Sequence, residues 1–393
     1  MNSQPSSPRP GLFGRPVLTV TIVLAALVGG GVGTIAYANR DSAVAAPEWH
    51  DPDGSAISAK PAGASSPVGA GQTITLSATG DIMMSNAPVG MPPNDGDGFF
   101  DSVRGDLKSD LVMGNLEQPL TGDTGASKCG SPARPNCYAF RSPPTYAAHL
   151  KEGGFDLVNM ANNHAQDFGV AGFHNTRAAL DGAGVKYTGA EDEITVVTVK
   201  GIKVAVVGFA PYAGTNNLND LDHARQMIER AKAAADLVVV QVHMGAEGAA
   251  MQHVKPGNEI FYGENRGDPV KFSHAVIDAG ADVVIGHSPH VLRAMEFYRG
   301  KLIAYSLGNF AGAGKTLNSQ GPLKYGGILR VTLTADGRYV SGAFRSTYLN
   351  SVGLPTRDTA NERGRALVAE LTAEDFPGTG ARIGADGSIE PRA

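Results

Sequence analysis

The chain predicts an α/β fold, and three observations carry that expectation. Helical stretches alternate with short apolar runs that read as buried strands, an order that builds a largely parallel central sheet. Asp81, Glu117, Asn163 with His164, His243, and His287 with His290 each lie at or just beyond such a run. Open α/β sheets gather ligands outside the carboxyl ends of their strands, so these separate segments can converge on one site there.

Composition bounds the answer. With 393 residues, 42% hydrophobic and 18% charged, the chain is large enough for one big domain or two smaller ones. A formal net charge of -5, spread without long runs, leaves no electrostatic footprint for nucleic acid, and that partner class is excluded. The 51 glycines and 24 prolines sit between strong, regular apolar runs, which fits many tight turns rather than a disordered chain.

Residues 1–40 read as a targeting segment. Arg9 and Arg15 are the only charges before an uncharged stretch from Pro16 to Asn39, whose apolar part is long enough to cross a bilayer, which takes roughly 20 residues. Positive residues on its amino side keep that end in the cytoplasm and place the rest outside as a single-pass, membrane-anchored protein. The alternative is a secreted protein, because Ala36-Tyr37-Ala38 resembles a signal-peptidase cleavage site. Residues 41–72, rich in Ala, Ser, Pro and Gly, read as a flexible linker. The folded domain is expected over 73–373, with a loosely structured tail over 374–393.

Within that domain, 73–79 alternates apolar and polar as a strand and is expected to turn at Gly80-Asp81. A strand over 110–115 runs into Glu117. Residues 143–154 have helical spacing with a glycine stop, and a strand follows from Phe155 to Ala161, ending in Asn162-Asn163-His164. A helix over roughly 172–182 leads to two strands joined at Gly201 as a hairpin. The helical stretch 221–235 precedes a strand ending at His243, and another over 268–280 precedes the strand before His287. After Leu302 the strands follow one another without helices, which predicts an antiparallel set or a second sheet.

Cys129 and Cys137 are the only cysteines and share one Pro/Gly-rich loop. In an exported protein such a pair reads as a local disulfide, since tetrahedral zinc needs more ligands than two cysteines supply.

Six segments in order, GDIMMS, GNLEQPL, MANNHAQDFG, VHMGAEG, GHSPHV and IAYSLGNF, resemble the signature segments of the CapA family of poly-γ-glutamate capsule biosynthesis proteins, over roughly residues 73 to 312. That family is similar in fold to calcineurin-like metallophosphoesterases. The resemblance implies a four-layer α/β/β/α sandwich outside the membrane, handling an anionic polymer or phosphate-bearing substrate, with membrane synthase subunits as partners. It also implies one or two divalent ions, Mn, Fe or Zn, which polarise an oxygen and generate hydroxide from bound water. On that pattern Asp81 matches the opening acid, Glu117 a bridging acid, Asn163 a ligand, His164 a general acid or substrate contact, and His243, His287 and His290 the late imidazoles. Asp81-Ile82-Met83 stands where the phosphoesterases carry Asp-x-His, and a thioether is a poor ligand for hard ions, so the number of ions stays open.

Supporting residues are read from the same segments. Asp167 either orients His164 or caps the helix beginning near Val170. Glu247 either bonds His243 or contacts substrate. Asn115, Asn162, Ser306 and Asn309 are expected to offer polar groups to the cleft, although an asparagine at 309 also suits a left-handed turn. Three functions follow: a capsule or polyglutamate factor with a metal site, an extracellular metal-dependent phosphoesterase, and a non-catalytic subunit that only binds polymer.

Overall fold

Alternation along the first long strand sets the interior. The computed structural model describes residues 49–50, 71–125 and 127–392. The expected membrane or signal segment and nearly all of the linker lie outside them, and among the described residues no helix is long and apolar enough to cross a membrane. The principal elements run β1 (Thr73–Met83), β2 (Leu111–Leu116), α1 (Ala147–Gly153), β3 (Leu157–Asn159), α2 (Gly169–Ala183), β4 (Lys186–Thr188), β5 (Ile194–Val199) and β6 (Ile202–Ala210). They continue with α3 (Leu221–Ala234), β7 (Leu237–His243), α4 (Pro269–Asp278), β8 (Val283–His287), β9 (Met295–Tyr298), β10 (Lys301–Ala304) and β11 (Asn309–Gly312). Last come β12 (Tyr325–Thr334), β13 (Tyr339–Leu349), α5 (Arg363–Asp375), β14 (Arg382–Ile383) and β15 (Ser388–Glu390).

Two mixed sheets form. One runs β14-β15-β13-β12-β1-β2-β3-β4, and the other runs β5-β6-β7-β8-β10-β9. In the first, β1, β2, β3 and β4 are parallel; in the second, β6, β7, β8 and β10 are. Ile74, Leu76, Leu111, Met113 and Leu157 of the first sheet meet Val204, Val239, Val283 and Ile285 of the second in one apolar seam. The outer face of the second sheet packs on α3 and α4 through Val238, Val240 and Val284 against Met227, Ile228, Phe272 and Val276. Val112, Val158 and Ile82 of the first sheet pack outward on Tyr146, Leu150 and Leu180. The layers are therefore α/β/β/α, and each such buried aliphatic side chain contributes about 1.5–3 kcal/mol.

The helices are bounded by local chemistry. Asp220 and Asp268 cap α3 and α4 by accepting from the His223 and Lys271 amides, and Pro269 sits in the first turn of α4. Gly154 and Gly184 end α1 and α2 in the left-handed conformation at φ 94° and 68°.

Two expectations are corrected and a third, left open between alternatives, is decided. No turn interrupts β1 at Gly80-Asp81: the strand runs through to Met83, with an irregularity in its pairing to β2 between Ala78 and Asp81. Gly80 is required there because a Cβ would sit 1.9 Å from the Gly308 carbonyl oxygen, so it marks a close backbone approach. Of the two readings of the late strands, the antiparallel set is observed, β12 pairing antiparallel with β13, and no separate sheet forms. β12 extends the first sheet by pairing with residues 73–79 of β1, and β11 takes over beside Asp81. The tail is ordered rather than loose, since β14 and β15 continue the sheet edge beside β13 with Ala381 and Ile389 buried. Within the expected linker, the backbone of Trp49–His50 pairs in parallel with Ile194–Thr195.

Candidate metal centre

The site is the polar end of the seam. Seam-facing positions alternate along each strand, apolar at first and polar at the carboxyl end: Leu111, Met113, then Asn115 and Glu117; Leu157, then Asn159; Leu237, Val239, then Gln241 and His243; Val283, Ile285, then His287. The pairing irregularity in β1 does the same for Asp81. Ile74, Leu76 and Ala78 face the seam while Ile82 faces the helices, so the one-residue shift turns Asp81 inward. Strand register then aligns Asn159, Asn115, Asp81 and Asn309 across one sheet and His243 with His287 across the other.

Donors converge there. One donor atom each from Asp81, Glu117 and His290 all lie within 4.8 Å of one another. His287 Nδ1 is 3.7 Å from Asp81 Oδ1, His243 Nε2 is 3.7 Å from Glu117 Oε1, and His290 Nε2 is 3.6 Å from that same oxygen. Asp81, Glu117, His243 and His287 are wholly buried. Yet both Glu117 oxygens, His243 Nε2 and His287 Nδ1 have no hydrogen-bond partner, and Asp81 Oδ2 has only the His290 imidazole beside it. Buried polar atoms without partners are costly, so a cluster of them aimed at one point fits a cation. Carboxylate oxygen with imidazole nitrogen is a donor set suited to Mn, Fe or Zn.

Charge follows burial. Desolvation would raise Asp81, but the hydrogen bond and charge of His290, with help from His287 and His243, bring its carboxyl down to about 2. Glu117, desolvated and facing Asp81 and Glu247, is pushed well above its usual value despite His290. Burial holds His243 well below the usual histidine value and His287 at about 4, so both are neutral near pH 7, the form in which an imidazole can act as a ligand. His290 goes the other way: burial opposes its proton, but Glu117, Asp81 and Glu247 raise it to about 10.

Neighbouring residues hold this arrangement. Asn115 Nδ2 donates to Asp81 Oδ1 at 2.8 Å, and its carbonyl accepts from Asn159 at 2.9 Å and Asn162 at 3.2 Å. His287 Nε2 meets Gln241 Oε1 at 3.1 Å, which leaves Nδ1 facing Asp81. His290 Nδ1 lies 3.1 Å from Asp81 Oδ2 and 2.9 Å from Asn309 Oδ1. Ser288 and His290 both hold positive φ, 97° and 59°, a strain that places the imidazole.

A cavity of about 210 Å³ opens beside the donors, lined by His164, Glu247, His290, Asn309 and Met83 among others. His164 Nδ1 is 2.7 Å from Asp167 Oδ2. Burial lowers the His164 imidazole, and the Asp167 charge opposes that shift. Asp167 also takes the Phe140 amide at 2.7 Å and the Lys128 ammonium at 2.7 Å. Lys128 and Phe140 flank the Cys129–Cys137 disulfide. Of the two readings of Asp167 the structure favours the orienting one, because α2 has no side-chain cap.

Four further residues read from the sequence take these places, with Glu247 and Asn309 both in the cavity lining. Glu247 does not bond His243; Arg266 grips it at 2.7 Å and its other oxygen stands 3.7 Å from His290. Ser306 spends its hydroxyl on the Gly308 amide at 3.2 Å and is wholly buried. Asn309 is in strand β11 rather than a left-handed turn, and Gly308 takes the positive φ. Asn163 Oδ1 is buried without a hydrogen-bond partner and its backbone carbonyl accepts from Lys128 at 2.9 Å, while its neighbour Asn162 reaches Asn115.

Sequence reading missed Asn159, Gln241, Arg266 and Lys128. The first two were findable, since they continue the alternate-residue pattern of their strands. Arg266, buried between the Tyr212 and Phe261 rings at 5.4 and 5.3 Å, sits in a loop without periodic signal.

Residues 75–313 match the family model described as "Bacterial capsule synthesis protein PGA_cap". The chain belongs to this family. It is 32% identical over 257 residues to the "PGA biosynthesis protein CapA" of Bacillus subtilis (strain 168), covering 60% of this chain and 63% of that one. It is 33% identical over 264 residues to the "Capsule biosynthesis protein CapA" of Bacillus anthracis, covering 61% and 60%. The chain thus spans somewhat less than two thirds of the length of these family members. Among solved structures, a 5'-nucleotidase precursor from Thermus thermophilus is similar at a TM-score of 0.42 and 14% identity, over 76% of this chain and 59% of that one.

Proposed function

We propose that this protein acts in the synthesis or export of poly-γ-glutamate or a related anionic polymer, outside the cytoplasmic membrane and tethered to it, with membrane synthase subunits as partners. Family membership and the names of the CapA relatives support the polymer. The apolar stretch 16–39 behind Arg9 and Arg15 supports the tether.

The observation that carries a metal-dependent role is the set of buried, unpartnered carboxylate and imidazole atoms at the end of the seam. Asp81, Glu117, His243, His287 and His290 would hold a divalent ion. Such an ion supplies Lewis acidity and a water acidified toward neutral pH. His164, steadied by Asp167, presents an imidazole to the adjoining cavity, where it can hold or pass a proton. Glu247, pinned by Arg266, keeps a carboxylate near His290.

A metal-dependent phosphoesterase is the second reading, favoured by the same donor set. Met83, buried and lining the cavity, weakens it by offering sulfur where an imidazole would complete a second ion.

The test is metal analysis of the purified protein after loading with Mn²⁺ or Zn²⁺, with hydrolysis assays on aryl phosphates and on poly-γ-glutamate. Glu117→Ala and His287→Ala are expected to lose bound metal while the circular dichroism spectrum stays native. Stoichiometric metal retained in both variants defeats the site; turnover of aryl phosphate alone favours the second reading.

A further inference from the structure

A larger groove adjoins the metal cavity. It measures about 1150 Å³, and Tyr138, Phe140, Thr316, Leu317 and Asn318 line both spaces, so the two adjoin. The Tyr138 and Phe140 rings stack within 8° of parallel, with centroids 6.4 Å apart, as a shared wall.

The groove has a distinctive lining. Of the eight large apolar side chains exposed among the described residues, four line it: Val89, Tyr138, Val352 and Met91, at 84%, 62%, 44% and 37% exposure. Concentration of apolar surface in one concavity beside a site marks binding rather than ordinary scatter. Between these stand neutral hydrogen-bonding groups, among them Asn318, Gln320 and Ser351. Among the described residues, Lys315 is the only charged side chain in the lining. It is exposed and holds φ 61° beside Gly314 at 69°, a conformation that costs a lysine energy. Within the lining, the backbones of Gly90 and Gly314 approach so closely that a Cβ on either would fall within 2.5 Å of the other's carbonyl oxygen.

We infer that this groove is a subsite for an extended γ-glutamyl chain, which it leads into the metal cavity. The inference rests on the polymer reading above and adds a place and a mode of binding. A γ-linked glutamate unit carries backbone methylenes, an amide and a carboxylate. The apolar walls suit the methylenes, the neutral side chains suit the amides, and Lys315 pairs with a carboxylate. Among the described residues, no acidic side chain lines the groove to repel that carboxylate.

Binding of fluorescently labelled poly-γ-glutamate to the full-length protein, read by anisotropy at fixed ionic strength, tests this. Lys315→Glu is expected to weaken binding by about ten-fold, the scale of one charge-assisted contact. The double variant Val89→Ser, Val352→Ser is expected to weaken it as well, and both should keep wild-type metal content and circular dichroism. Wild-type affinity in both variants overturns the groove while leaving the polymer reading intact. Failure of the wild-type protein to bind the polymer at all overturns the polymer reading and the subsite with it. Equal competition by polyacrylate of the same length overturns the amide-reading mode, because that polyanion has no amide backbone.

Discussion

Glu117 shows what a candidate ligand costs the fold. Both of its oxygens are buried without partners, and burial beside Asp81 and Glu247 pushes its carboxyl well above the usual range. A buried polar atom left unpaired costs about 1–3 kcal/mol. Glu117→Met, which removes both oxygens and roughly keeps the volume, is therefore expected to stabilise the metal-free protein by about 1 kcal/mol or more. Thermal unfolding in a chelator reads this; a lower midpoint in the variant would show that the oxygens are satisfied in solution. Asp81 and the late histidines were legible because each ends an apolar run. Arg266 was not, because its role depends on Glu247 and two aromatic rings that only the fold brings to it.

At the level of elements, Glu296 is the tie between β9, α4 and the carboxyl-terminal segment. It accepts from His274 at 2.9 Å, Tyr305 at 2.7 Å and Thr379 at 2.8 Å. Burial alone would raise its carboxyl, but these hydrogen bonds and the His274 charge leave it below its usual 4.5. A carboxyl depressed on folding stabilises above its unfolded value and loses that contribution as pH falls through the folded value. Glu296→Gln should thus cost about 2 kcal/mol at pH 7, the scale of hydrogen bonds to a charged group, and progressively less below pH 4.5. Urea unfolding at neutral and acid pH measures it; an equal cost at both would mean the charge is irrelevant. The same tie explains the misread tail. Residues 376–392 are held by partners far away in sequence, such as Thr379 on Glu296 and β15 on β13, and leave no local period to read. The helix–strand alternation from 143 to 287, by contrast, is written in neighbouring residues and emerged close to its observed bounds.

For the molecule as a whole, the donors are divided between two sheets. Asp81 and Glu117 belong to the first, and His243 and His287 to the second. An ion bound by both is bound only by the native arrangement, so it stabilises folding by mass action, by about 2.7 kcal/mol at a hundred-fold excess over its dissociation constant. Saturating Mn²⁺ or Zn²⁺ should raise the unfolding midpoint by several degrees, EDTA should reverse the gain, and His287→Ala should abolish it. A midpoint indifferent to metal would place any ion outside the seam. The two-layer packing itself was beyond periodicity, which reveals which side of a strand is apolar and not what that side faces. Only the likeness of six short segments to a known family pointed to it.

The polar end of the seam also dictates an order of assembly. Neither leaf alone carries the grip, and the side chains that make it are aligned by register within each leaf and then by docking between them. A chain with one half built would offer a cation only part of this donor set. An ion held by this full set would load only once the halves have closed, and a half-made molecule would bind it less tightly.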